Sequence, residues 1–144
     1  MLSGVASRLT NRLGQLDAPE VSPDGKSIVF TREFTANDYQ IWVMGRDGSN
    51  PRRLFDGTGW DPTWSPDGNK ILFASDVDGL PQLYIVSLDG SALHKISDLP
   101  ALRGRSDWSS QDLIVTYSGE PWEREIYIMT VSYTHLTLPT ILLV

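Results

Sequence analysis

The chain contains no cysteine, which removes disulfides, thiolate zinc sites and a cysteine nucleophile from consideration. That absence does not identify the compartment. Long apolar runs are missing as well: no stretch approaches the roughly 18 residues of a membrane-crossing helix. The opening residues, Met1 to Arg8, lack the apolar centre of a signal peptide. Positive charge is scarce, with 12 Lys and Arg against 18 Asp and Glu and a net charge of −6 over 144 residues. Binding a nucleic-acid backbone rests on clustered cations, so no nucleic-acid partner is expected. The short basic spots at Arg52-Arg53 and Arg103/Arg105 read as solvated charge. Four catalytic or phosphate-binding signatures are also absent: G-x-S-x-G, H-E-x-x-H, the phosphate loop and G-x-G-x-x-G.

What is present is repetition. Val21-Ser22-Pro23-Asp24-Gly25-Lys26-Ser27-Ile28-Val29-Phe30 returns as Trp64-Ser65-Pro66-Asp67-Gly68-Asn69-Lys70-Ile71-Leu72-Phe73. A degraded third copy starts at Trp108-Ser109-Ser110-Gln111-Asp112, where two residues look lost. A spacing in the low forties matches the roughly 40–50 residues of a four-stranded propeller blade and exceeds the shorter helical repeats.

Each repeat spells four strands. In the second, Asp61 to Ser65 is a short inner strand, and Ser65-Pro66-Asp67-Gly68 has the residue preferences of a type I turn. Lys70 to Ala74 and Gln82 to Val86 follow as middle strands. Asp89-Gly90 marks a hairpin, because glycine accepts the positive φ such a turn demands. Ala92 to Ser97 closes the unit as a polar outer strand. The first repeat matches, with strands near Ala18–Ser22, Lys26–Thr31, Gln40–Met44 and Pro51–Phe55. The third shows Asp107–Ser109, Leu113–Tyr117 and Glu125–Met129. Apolar residues stand on consecutive positions of the middle strands, which suits sheets covered on both faces. Helix content is expected to be close to nil.

The division that follows is 17–59 for a first blade, 60–102 for a second and 103–130 for a partial third. Residues 1–16 are expected to hold the outer strand of a preceding blade, because Ser7-Arg8-Leu9-Thr10 aligns loosely with Arg52 to Phe55. The repeat grammar fails after Thr130. Residues 131–144 resemble an in-frame translation of a transposon-end sequencing adapter and read as a non-native tail. The competing reading is a genuine apolar outer strand.

The succession W-S-P-D-G-x-K-I-x-F, Q-[IL]-[WY]-[VI], D-G-S and a basic outer strand resembles the TolB-like, WD40-like (PD40) β-propeller repeat. The resemblance covers nearly all of residues 5–130. It implies an all-β fold: a β-propeller fragment of four-stranded antiparallel blades, two near-complete and partial ones at each end. It also implies periplasmic or secreted bacterial proteins, and blades that neighbour others of the full-length chain. The same repeat serves periplasmic scaffold proteins, propeller domains of prolyl oligopeptidase-type serine peptidases and assorted surface proteins, so it does not choose among them.

No catalytic, cofactor-binding or metal-ligating residue is identified, and no cofactor is expected. Asp24, Asp67 and Asp89 sit beside turn glycines, where aspartate bonds its own backbone. Asp76-Val77-Asp78-Gly79 has the flavour of a calcium loop, but Ala74 stands at the first-ligand position and no bidentate glutamate follows. His94 stands alone on an outer strand, a solvated position. Trp42, Trp64 and Trp108 fall at repeat-equivalent core positions. Trp60 and Trp122 lie near loop ends and are the candidates for a partner or ligand surface, with core packing as the competing reading.

Three functions compete. The first is a non-catalytic scaffold that binds a protein or peptide partner on its loops. The second is the propeller of a prolyl oligopeptidase-type peptidase whose hydrolase residues lie elsewhere. The third is a carbohydrate-binding or lyase propeller in which Trp60 or Trp122 stacks on a sugar. In all three, open blade faces make this piece of chain marginal and prone to edge-to-edge association.

Overall fold

A computed structural model describes residues 3–102 and 105–131. Among them there is no helix, and eleven strands form three antiparallel sheets. The first sheet holds β1 (Gln15–Val21), β2 (Ser27–Thr35), β3 (Asp38–Gly45) and β4 (Arg52–Arg53) in chain order. The second repeats that order with β5 (Trp60–Trp64), β6 (Lys70–Ser75), β7 (Gln82–Ser87) and β8 (His94–Lys95). The third has three strands, β9 (Asp107–Trp108), β10 (Leu113–Ser118) and β11 (Glu125–Thr130). These are the up-and-down blades that the sequence repeat implies.

The outer strands are shorter than expected. β4 and β8 pair at two positions each, Trp42 with Arg53 and Val43 with Arg52, then Tyr84 with Lys95 and Ile85 with His94. An edge strand contacts one neighbour only, and short, charged edges suppress further pairing.

The core lies between sheets, not within one. In β6 and β7 alternate residues point to opposite faces. Ile71, Phe73, Tyr84 and Val86 pack toward the first sheet, against Val29, Ile41, Val43 and Leu54. Leu72, Ala74, Leu83 and Ile85 pack toward the third, against Ile96, Leu99, Trp108, Ile114 and Met129. That explains the unbroken apolar runs: the middle sheet is covered twice. Each fully buried side chain of this size stabilises by about 2 kcal/mol.

The turns repeat in detail. Ser22 Oγ donates to Asp24 Oδ1 at 2.6 Å and accepts from the Ser27 amide at 2.9 Å, while the Gly25 amide donates to the Ser22 carbonyl at 2.8 Å. Ser65, Asp67, Gly68 and Lys70 make the same bonds at 2.6, 2.9 and 2.9 Å. The third turn survives its altered sequence. Asp112 takes the left-handed position of Gly25 and Gly68, with φ of 56°, and its amide donates to the Ser109 carbonyl at 3.1 Å. Aspartate tolerates that region better than most residues. Trp64 pairs with Ile71 and Trp108 with Ile114, so this turn is one residue shorter and not two.

Ser7 to Thr10, expected as an outer strand, forms no ladder among the described residues. A Cβ added to Gly48 would collide with the Leu9 carbonyl oxygen, as one on Gly90 would with that of Leu54 in β4's extension. Both Asp-Gly turns therefore rest on the backbone of the segment preceding their own blade. Apart from Val131, which packs against the second core cluster, the tail at 131–144 lies outside the described residues.

Candidate functional site

The inner strands β1 and β5 each carry a bulge. The ladder register shifts between Asp17 and Glu20 and again between Trp60 and Thr63. At each bulge a residue before proline is left-handed, Ala18 with φ of 48° and Asp61 with φ of 52°. Proline normally holds its predecessor in the extended region, and a non-glycine residue in the left-handed one costs about 1–3 kcal/mol. Bulges re-aim side chains, and here the bulge sets Asp61 at the junction of two clefts.

The first cleft, of about 450 Å³, opens between the first two blades and is lined by Asp17, Glu33, Tyr39, Trp60, Asp61 and Asp76 among others. Trp60 and Tyr39 meet edge to face, with centroids 6.2 Å apart and planes at 62°. The ion pairs Arg53–Asp56 and Lys95–Asp98 lie elsewhere, and no ion pair to any of these four carboxylates is seen among the described residues. Burial pushes the Asp61 carboxyl above its usual range; neighbouring Arg105 opposes that rise and Asp17 adds to it. Asp76 accepts a bond from the Thr58 hydroxyl.

The second cleft, of about 400 Å³, opens between the second and third blades, where Asp61 meets Glu20, Arg105, Asp107, Thr116 and Tyr117. Its origin is a change in the repeat. Phe30 pairs with Trp42 and Phe73 with Tyr84, but Thr116 pairs with Tyr127. A small hydroxyl side chain thus stands where the other blades insert a phenyl ring. Thr116 is 2% exposed, and its Oγ1 and the Ser106 Oγ are buried without a hydrogen-bond partner.

Of the two tryptophans singled out from the sequence, Trp60 is the first residue of β5, half-buried, lining the first cleft on one side and touching the core on the other. Trp122, 90% exposed in the β10–β11 turn, lines neither cleft, so the structure does not bring the two to one site. Trp64 and Trp108 are buried in the core clusters, whereas Trp42 is half-buried beneath Arg32. His94 is exposed on β8. Asp78 accepts the Tyr84 hydroxyl at 2.7 Å; burial first, then that carboxylate, pushes the tyrosine up to about 12. Among the described residues no three His, Asp or Glu side chains stand as a metal-ligand set.

Two structural roles were not legible in the sequence. Glu20 ties the inner strands together, accepting from Thr63 Oγ1 at 3.0 Å and the Trp64 amide at 3.1 Å, while its carbonyl takes the Trp64 indole N–H at 3.1 Å. Arg52 is not simply solvated: it donates to the Leu88 carbonyl of the next blade at 2.7 Å. Arg103 lies outside the described residues.

The family described as PD40, TolB beta propeller domain, matches residues 1–140. An uncharacterized peptidase of Bacillus subtilis, YuxL, is 32% identical over 113 residues, which are 69% of this chain and 17% of that protein. The Tol-Pal system protein TolB of Alcanivorax borkumensis is 37% identical over 88 residues, 58% of this chain and 20% of that one. The crystal structure of TolB from Acinetobacter baumannii superposes with a TM-score of 0.68 at 24% identity, covering 88% of this chain and 32% of the other. The chain thus spans well under half of these relatives.

Proposed function

Because this chain belongs to the TolB β-propeller domain family, we propose that it is part of a non-catalytic scaffold that binds a protein or peptide partner. The observation that carries this reading is the first cleft, where β5 holds Trp60 and β3 holds Tyr39 beside carboxylates for which no ion pair is seen among the described residues. Aromatic anchors next to unsatisfied polar groups are the usual make-up of a recognition surface. The likeness to TolB also supports a periplasmic or secreted setting. The blades at 17–59 and 60–102 supply the rigid frame, and further blades of the full-length protein flank them.

The test is selection of a random peptide library on the intact chain. The scaffold reading expects enriched peptides whose binding is lost in Trp60→Ala and retained in Trp122→Ala. Enrichment that ignores Trp60, or none at all, contradicts it.

A second reading rests on the Bacillus subtilis peptidase relative: the propeller of a serine peptidase, restricting access to a hydrolase domain. Reading the uninterrupted gene for a G-x-S-x-G elbow decides between the two. A hydrolase domain downstream supports the peptidase; more blades followed by a stop support the scaffold.

A further inference from the structure

Asp61 lines both clefts, so together they trace one groove across the inner strands of three blades. The groove is acidic. Asp17, Glu33, Asp61 and Asp76 line the first part, while Glu20 and Asp107 outnumber Arg105 in the second. Its second part also holds two buried hydroxyls, of Thr116 and Ser106, that have no hydrogen-bond partner among the described residues. Buried polar groups are nearly always satisfied, so these two point to a guest with hydrogen-bonding groups.

The chemistry of that guest follows from what the groove offers. The carboxylates do not converge as a metal set among the described residues, yet they surround an aromatic pair. Carboxylates beside an aromatic face favour an organic cation. The protein already makes such contacts internally: the Arg32 guanidinium lies 3.9 Å from the Phe34 ring centre and 4.6 Å from that of Trp42, and Arg124 sits 5.1 Å over Tyr117. No cation–π contact of this kind covers Trp60 among the described residues.

Building on the scaffold reading, we propose that the groove binds an extended peptide bearing lysine or arginine. The cationic side chain sits against Trp60 and Tyr39 among the four carboxylates, and the peptide main chain bonds the unpartnered hydroxyls of Thr116 and Ser106. Partial desolvation of Asp61 strengthens its attraction for such a cation, because charge interactions grow as water is excluded.

The experiment titrates the full chain against a fluorescein-labelled pentapeptide of alternating glycine and arginine, and against its citrulline counterpart, which keeps shape and loses charge. The arginine peptide should bind and the citrulline peptide should bind more weakly. Asp61→Asn, Trp60→Phe and Thr116→Val should each weaken the arginine peptide about three- to tenfold, while Asp98→Asn, a surface carboxylate paired with Lys95, leaves it unchanged. Asp61→Asn and Thr116→Val are near-isosteric, and urea unfolding of each variant checks that the fold is kept. Equal binding of the two peptides, or the same loss in Asp98→Asn as in Asp61→Asn, overturns the proposal. Should library selection yield neutral peptides that depend on Trp60, the scaffold stands and the cationic guest falls; should it yield none, the scaffold reading falls with it.

Discussion

Leu83 and Ile126 occupy the same place in successive blades, yet Leu83 is 1% exposed and Ile126 80%. Their ladders correspond: Leu83 pairs with Ala74 as Ile126 pairs with Tyr117. The neighbours agree, since Leu72 and Ile85 are buried whereas Val115 is exposed and Ile128 half-buried. The difference is not in the strands but in what lies across from them. A sheet with one covered face draws its stability from a single interface, and the middle sheet draws on two. In an array of this kind, stability is a sum over neighbouring interfaces, so position in the stack outranks residue type.

The comparison can be broken at several points. The largest effect belongs to the phenyl slot. Phe73→Thr should destabilise by about 4 kcal/mol, as a large core truncation does. Thr116→Phe should stabilise by about 1 kcal/mol through cavity filling. Urea unfolding reads both, and a loss in both directions would show that the Thr116 slot is already full. Next comes the matched pair: Leu83→Ala should cost about 3 kcal/mol and Ile126→Ala no more than about 0.5 kcal/mol. Equal costs would mean that the third sheet's outer face is covered in solution.

Smaller effects separate the turns. Ser65→Ala removes a hydroxyl that both donates to Asp67 and accepts from the Lys70 amide, at a cost of about 1 kcal/mol. Ser109→Ala should cost less, because its two accepted bonds are long, 3.2 and 3.3 Å. The smallest effect is in acid. The Ser65 hydroxyl first, then the Asn69 amide, hold Asp67 below its ordinary value of 3.8. A depressed carboxylate lends stability above its unfolded value that is lost as the pH falls through the folded one. Asp67→Asn should therefore flatten the loss of stability below about pH 4, whereas Gln111, which carries no charge at that place in the third turn, leaves no such signature.

Much of the fold was legible because it is local and repeated. Serine, proline, aspartate and glycine in order dictate a turn, and consecutive apolar residues dictate a strand covered on both sides. The third turn was readable only in part, since Asp112 stands in for a glycine without announcing it. The site was far less legible. Trp60 could be named as a candidate, but the cleft around it depends on how two blades lie against each other. Nothing in Ala18-Pro19 or Asp61-Pro62 signals a left-handed bulge, because proline argues for the opposite conformation. Glu20 reads as one more surface acid until the next inner strand is laid beside it.

Native-state amide hydrogen exchange on the intact chain weighs the central claim, that the middle sheet is held from both sides by stacked blades. The β6 and β7 amides should exchange most slowly, near the rate of global unfolding, with those of β10 and β11 opening at lower free energy. Uniform protection across the three sheets, or slower exchange in β10 and β11 than in β6 and β7, would contradict it.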